Sequence, residues 1–133
     1  MAPRQVGAMA KQRAGKRLRV KRASDIRRAF TQGVSAADGR LTLRAVRREA
    51  DDPGAPARLA VAVSTRHGKA VRRNRIKRLC REAFRLVRDE VAPGWDYVMI
   101  PRAGAELTLE NLKLSLRQLA RRLASRAQQK GSL

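Results

Sequence analysis

Residues 66–88, R-H-G-K-A-V-R-R-N-R-I-K-R-L-C-R-E-A-F-R-L-V-R, carry ten Lys or Arg and a single acid, Glu82. A fold that contains such a run must find a place for every one of those charges. At about 100° per residue the stretch separates into two sides. Ile76, Leu79, Cys80, Ala83, Phe84, Leu86 and Val87 fall on one; Lys77, Arg78, Arg81, Arg85 and Arg88 fall on the other, continued toward the helix start by Asn74 and Arg75. The pattern predicts an amphipathic helix with one face for a core and one for a polyanion.

Charge placement at the start of this helix points the same way. Lys69, Arg72, Arg73, Arg75, Lys77 and Arg78 crowd the first turns with no acid among them. Exposed cations at a helix N-terminus oppose the macrodipole, at about 0.3–1 kcal/mol each. Selection for stability alone would place Asp or Glu there. The free N–H groups of a first turn also bind phosphate, so guanidinium forks, an ammonium and backbone donors converge on one helix end.

The remainder of the chain agrees with a polyanionic partner. A net charge of +21 over 133 residues, with a pI near 11.9, repels itself and makes nucleic acid the default partner. A membrane surface is the weaker alternative, and no apolar run is long enough to span a bilayer. The basic N-terminus lacks the apolar region of a secretory signal. The single cysteine, Cys80, excludes an internal disulfide and fits a reducing, cytoplasmic compartment. Its position on the apolar side reads as a small buried hydrophobe rather than a reactive thiol.

Residues 1–16 are basic and aperiodic and are expected to form a disordered tail. One domain is expected over 17–128, followed by a short tail, 129–133. Ser24 suits an N-cap and Gly33 a C′ position, with Ile26, Ala29 and Phe30 on one face of the short helix between them. Residues 40–47 alternate as a strand, Leu41, Leu43 and Ala45 against Thr42 and Arg44. The Pro/Gly-rich loop at 48–57 carries Glu49, Asp51 and Asp52 with no histidine nearby, a poor setting for metal or acid–base chemistry. Residues 58–64 are apolar on both faces and read as a central, buried strand. His67, the only histidine, is expected to face RNA or solvent, because it has no carboxylate or cysteine partner for a metal site or triad. The central helix is expected to end near Val91, before a Pro93-Gly94 turn and a strand at 96–101. Thr108 is the expected N-cap of a last helix to about Gln128, with Leu109, Leu112, Leu116, Leu119, Leu123 and Ala127 forming its apolar stripe.

These elements make a single α+β domain in the order α-β-β-α-β-α, with room for one further short strand. Composition alone favours a ribosomal or general RNA-binding protein. A nuclease in its own right would need an assembled nucleophile, carboxylate pair or metal cage, and none is legible. A DNA-binding architectural role has no helix-turn-helix pattern behind it.

One motif narrows the choice. The run A-V-R-R-N-R-I-K-R-L-C-R-E-A-F at residues 70–84 closely resembles the signature of the bacterial ribonuclease P protein subunit, with Arg73-Asn74-Arg75 as its core. Gly68, Ala70 and Val71 match before it, and Arg102-Ala103-Gly104 after the strand at 96–101. The family usually has Asn where this chain has Lys69. The resemblance covers roughly residues 17–127. It implies a sheet like that of the second domain of ribosomal protein S5, with a left-handed β-α-β crossover, against the roughly 98% right-handed rule. It also implies removal of the 5′ leader from precursor tRNA by a ribonucleoprotein endonuclease whose RNA performs the hydrolysis with Mg²⁺. The protein would bind no cofactor through its own side chains and would be inactive alone. Lys69, Arg72, Arg73, Asn74, Arg75, Lys77, Arg78 and Arg81 would contact the catalytic RNA. Ile26, Phe30 and Arg44 would line the cleft for the leader, with Ile26 and Arg44 standing where the family often has aromatics. No catalytic or metal-binding residue is expected on the protein, and neither membrane nor DNA is expected as a partner.

Overall fold

The computed structural model describes residues 19–20, 22–48 and 55–131. The tail at 1–16 and the acidic residues Glu49, Asp51 and Asp52 lie outside the described residues. The elements are α1 (Ala23–Gln32), β1 (Val34–Ala37), β2 (Leu41–Arg47), β3 (Arg58–Val61), a 3₁₀ turn (Thr65–His67), α2 (Ala70–Val87), a second 3₁₀ turn (Arg88–Glu90), β4 (Trp95–Pro101) and α3 (Leu109–Gly131). The α+β order holds, with β1 as the further short strand. The last helix continues past 128 to Gly131.

The sheet order is β1-β2-β4-β3. β1 pairs antiparallel with β2, β2 antiparallel with β4, and β3 parallel with β4, so β3-α2-β4 is the β-α-β unit. The segment at 58–64 is therefore an edge and not a central strand. Only Arg58–Val61 pair, and Leu59 alone among them is fully buried. Its small residues, Ala60 and Ala62, let the chain run beside the sheet without the bulk that would fill a centre. Arg19 and Val20 lie along this edge through a parallel bridge to Leu59 and a Val20 N–H bond to the Leu59 carbonyl at 2.8 Å.

Strand alternation divides the core. Leu41, Leu43 and Ala45 of β2 and Tyr97 and Met99 of β4 face α2 and α3, where they join Ile76, Cys80, Ala83, Phe84, Val87 and the Leu112–Leu116–Leu119–Leu123 stripe. The opposite face carries Val46 and Val98, covered by Ala29 of α1. A ten-residue helix cannot cover the whole face, and Ala60 and Ile100 remain half-buried beside it.

Local chemistry departs from the sequence expectations at several ends. α1 begins two residues early, with Arg22 as N-cap and no side-chain cap, so Ser24 lies inside the first turn. Gly33 is extended rather than left-handed. Its need for glycine is steric: a Cβ there would collide with the carbonyl oxygens of Ala29 and Ala45. α2 ends at Val87, and the 3₁₀ turn carries the chain to Val91. Thr108 does cap α3, its Oγ1 accepting from the Asn111 amide at 3.1 Å. In the β1–β2 hairpin Asp38 Oδ1 accepts from the Arg40 and Leu41 amides at 2.8 and 2.9 Å, an Asx turn. Two β1 carbonyls, Ser35 and Ala37, accept from Arg126 and Arg122 of α3, which discourages pairing of that edge with another chain.

Candidate nucleic-acid interface

Gly68, at φ 113°, turns the chain into α2 through a conformation that side chains rarely adopt. Lys69 then occupies the N-cap with an extended backbone and no side-chain cap. Its ammonium cannot accept from the first-turn amides as an asparagine or serine would, so no side chain competes there for an anion. The intrahelical ladder begins with the Arg73 N–H donating to the Lys69 carbonyl at 3.0 Å.

The cations of α2 are arranged as the wheel predicts. Lys69, Arg72, Asn74, Arg75 and Arg78 are exposed, and Arg73, Lys77 and Arg81 are half-buried. Among the described residues none of these makes an ion pair; on α2 that is left to Arg85, which binds Glu82 at 2.5 Å. The Nε of Arg73 is shielded from solvent and has no acceptor among the described residues. Burial, then the neighbouring Arg19, holds the Arg81 guanidinium below its ordinary range. Cations thus approach one another here.

The apolar side of α2 is buried at Ile76, Cys80, Ala83, Phe84 and Val87. Leu86 is the exception: it is exposed, because α2 meets α3 and the sheet along a narrower stripe than the wheel assigns. Burial pushes the Cys80 thiol up to about 12, so it stays protonated and packs as a small hydrophobe. His67 corrects another expectation. It is buried, and its Nε2–H donates to the Pro101 carbonyl at 2.9 Å. The histidine ties the entry to α2 to the end of β4 rather than facing RNA or solvent.

A second surface lies on the α1 side of the sheet. Arg44 Nη2 donates to the Phe30 carbonyl at 2.7 Å and Nε to the Ala29 carbonyl at 3.3 Å, capping the last turn of α1. The same guanidinium sits 5.0 Å from the centre of the Phe30 ring, a cation–π contact. Phe30 is still 42% exposed, and half-buried Ile26 lies one turn before it. The structure thus brings Phe30 and Arg44 into contact. Ile26 shares the helix face of Phe30.

The sequence reading missed the clamp that holds this face together. Asp96, 1% exposed, accepts from Arg48 Nη1 at 3.0 Å and from Arg58 Nε and Nη2 at 2.8 and 2.7 Å. Arg58 also lies 3.6 Å from Asp25 of α1. The available signal was an aspartate at an inward position of an otherwise apolar strand. Among the described residues no cluster of three His, Cys, Asp or Glu could hold a metal ion, and no helix is long and apolar enough to cross a membrane.

Comparison with known proteins bears on the chain as a whole. The Ribonuclease P family model matches residues 14–124. The chain is 37% identical over 109 residues to a ribonuclease P protein component of Geobacillus kaustophilus, covering 80% of this chain and 87% of the relative. It is 34% identical over 105 residues to one of Clostridioides difficile, with 77% and 89% covered. Among solved structures it is similar to a Staphylococcus aureus RNase P protein mutant with defective mRNA degradation activity, with a TM-score of 0.71, 28% identity and 84% and 92% of the chains covered. The RNase P protein of Thermotoga maritima aligns with a TM-score of 0.68, 28% identity and 78% and 96% covered.

Proposed function

We infer how the two surfaces divide the work from one premise: the chain belongs to the ribonuclease P protein family. It acts in 5′ tRNA processing as the protein component of a ribonucleoprotein endonuclease. Its partners in general terms are the RNA of that enzyme and precursor tRNA. In our reading the basic side of α2 takes the catalytic RNA, with Lys69, Arg72, Arg73, Asn74, Arg75, Lys77, Arg78 and Arg81 donating to phosphate and sugar oxygens. The observation that carries this is the absence, among the described residues, of any ion pair to these seven cations. A folded chain with 11 acids available leaves its densest positive run for an external anion.

The Phe30–Arg44 corner, with Ile26, is proposed to hold the single-stranded 5′ leader. Phe30 offers a ring face to a base, and base–aromatic stacking is worth about 1–3 kcal/mol. Arg44 offers a charge for the adjacent phosphate but is already engaged with two helix carbonyls and the ring. Ile26 adds apolar contact only. Contacts of this kind recognise an unpaired strand more than its sequence.

No protein side chain is assigned to bond cleavage. Mg²⁺ of the holoenzyme is proposed to belong to the RNA. The protein's contributions are electrostatic: it neutralises phosphates that would repel one another when precursor tRNA meets the catalytic RNA. A cytoplasmic location, where those RNAs are made, is part of the same proposal.

The test is precursor-tRNA cleavage at low magnesium with protein alone, catalytic RNA alone and both. Strong cleavage only in the mixture, at the mature 5′ end, is expected. Cleavage by the protein alone would require an active site not assigned here. RNA binding with no gain from mixing would return the chain to the general RNA-binding class.

A further inference from the structure

A groove of about 560 Å³ runs between the start of α2 and the loop that leaves β4. Ile76, Leu79, Ala105 and Leu107 give it an apolar lining, and the first three turns of α2 add Lys69, Arg72 and Arg75. No acid is among the lining residues. Ile76, Leu79 and Leu107 are continuous with the main core, so the lining is a firm wall and not a mobile flap. Val71 also lines the groove and is 73% exposed. It is the most exposed large apolar side chain among the described residues, placed where neighbouring positions carry arginine.

We propose that this groove accepts one unpaired nucleotide of the catalytic RNA, its base on the apolar wall and its phosphate among Lys69, Arg72 and Arg75. The proposal rests on the assignment of α2 to that RNA and deepens it. A nucleotide joins a flat, weakly polar ring to an anion a few ångströms away, and the groove presents the matching pair of surfaces. Its volume lies within the roughly 300–1,000 Å³ of small organic ligand sites. Lys69, Arg72 and Arg75 belong both to the groove and to the proposed RNA face, so the two surfaces are continuous. The base must be unpaired, because a base within an A-form duplex keeps both faces stacked. No aromatic lines the groove, so recognition there is by shape and apolar contact, with little preference among bases. An acidic, apolar segment of a partner protein would meet the same lining; the RNA is favoured because the groove opens onto the run of unpaired cations.

The test uses the full chain and the catalytic RNA, comparing the wild type with Ala105→Phe, which fills the groove without changing charge. In the wild-type complex one unpaired nucleotide should become protected from base-specific chemical modification. Ala105→Phe should restore its reactivity and weaken binding about fivefold, with the salt dependence unchanged because the phosphate contacts remain. Val71→Ser, at a position too exposed to affect folding, should weaken binding about twofold. Protection of no base near α2, or variants with wild-type affinity and footprint, would overturn the proposal and leave the groove to a protein partner. Failure of the wild type to bind the RNA at all would instead remove the assignment of α2 beneath it.

Discussion

Arginine is used in two opposite ways in this protein. On the α1 side of the sheet, Arg48 and Arg58 close on buried Asp96, and Arg58 reaches Asp25. Along the start of α2, arginines of the same shape and charge have no carboxylate partner among the described residues. Taking charges out of water is repaid only by good geometry and hydrogen bonding, and in the first group Asp96 accepts three hydrogen bonds from the two guanidiniums. Most of the second group stays at the surface, in water until a polyanion arrives, while Arg73, Lys77 and Arg81 are half-buried. Net charge therefore says that a polyanion is wanted; the pairing pattern says where.

Ionic strength should break the comparison open most widely. Screening relieves the self-repulsion of a +21 chain, so the thermal midpoint of the free protein should rise with salt. RNA affinity should fall by about 10³–10⁵ between roughly 50 and 200 mM if about 6–10 phosphates are contacted. Melting curves and filter binding over one salt series check both signs, and a flat binding response would mean that α2 is not a phosphate surface.

Asp96→Ala removes the buried carboxylate that Arg48 and Arg58 share and should cost about 3–5 kcal/mol in urea unfolding, while the molecules that remain folded keep their RNA affinity. A loss of RNA binding from the folded fraction would join the two arginine populations into one. The reciprocal change, Arg73→Ala with Arg75→Ala, should leave the circular dichroism spectrum intact and weaken RNA binding about tenfold per residue, or about 1.4 kcal/mol each. Unfolding of that variant would place these side chains in the core.

Phe30→Ala sits between the groups, because Arg44 caps α1 and touches the ring at once. It should remove about 1 kcal/mol of the preference for leader-bearing over mature tRNA; an unchanged ratio would take Phe30 out of the cleft. The smallest effect is expected at Leu86→Gln, within about 0.5 kcal/mol of wild type in stability. A larger loss would show that this exposed leucine is covered in solution.

Much of this was legible before any coordinates. The 3.6-residue period placed the cations of α2 on one side, and the alternation of 41–47 placed Leu41 and Leu43 inward. Both are repeating signals in which many residues agree. The errors came from single residues and from non-local pairing. Residues 58–64 read as central because their composition is apolar, but whether a strand is an edge depends on partners distant in sequence. His67 read as a solvent-facing loop residue because its acceptor, the Pro101 carbonyl, lies 34 positions away. Gly33 was correctly placed at a helix end for the wrong reason, since the obstruction to a side chain comes partly from Ala45 on another element. The groove at Val71 could not be read at all, because Ala105 and Leu107 of its wall belong to the loop after β4.

The position of β4 has a consequence for the order in which the molecule can be made. It is the last strand in the chain, yet it lies between β2 and β3 and pairs with both along their lengths. As the polypeptide emerges during synthesis, β2 and β3 have no bridge between them until residues 95–101 follow. The whole cationic helix leaves the ribosome earlier. Closing the sheet then encloses α2 within a long loop, a non-local step that slows folding. The RNA-binding charge is thus displayed to a cell full of RNA before its scaffold exists, and a chain cut short of Trp95 would carry that charge with no fold to aim it.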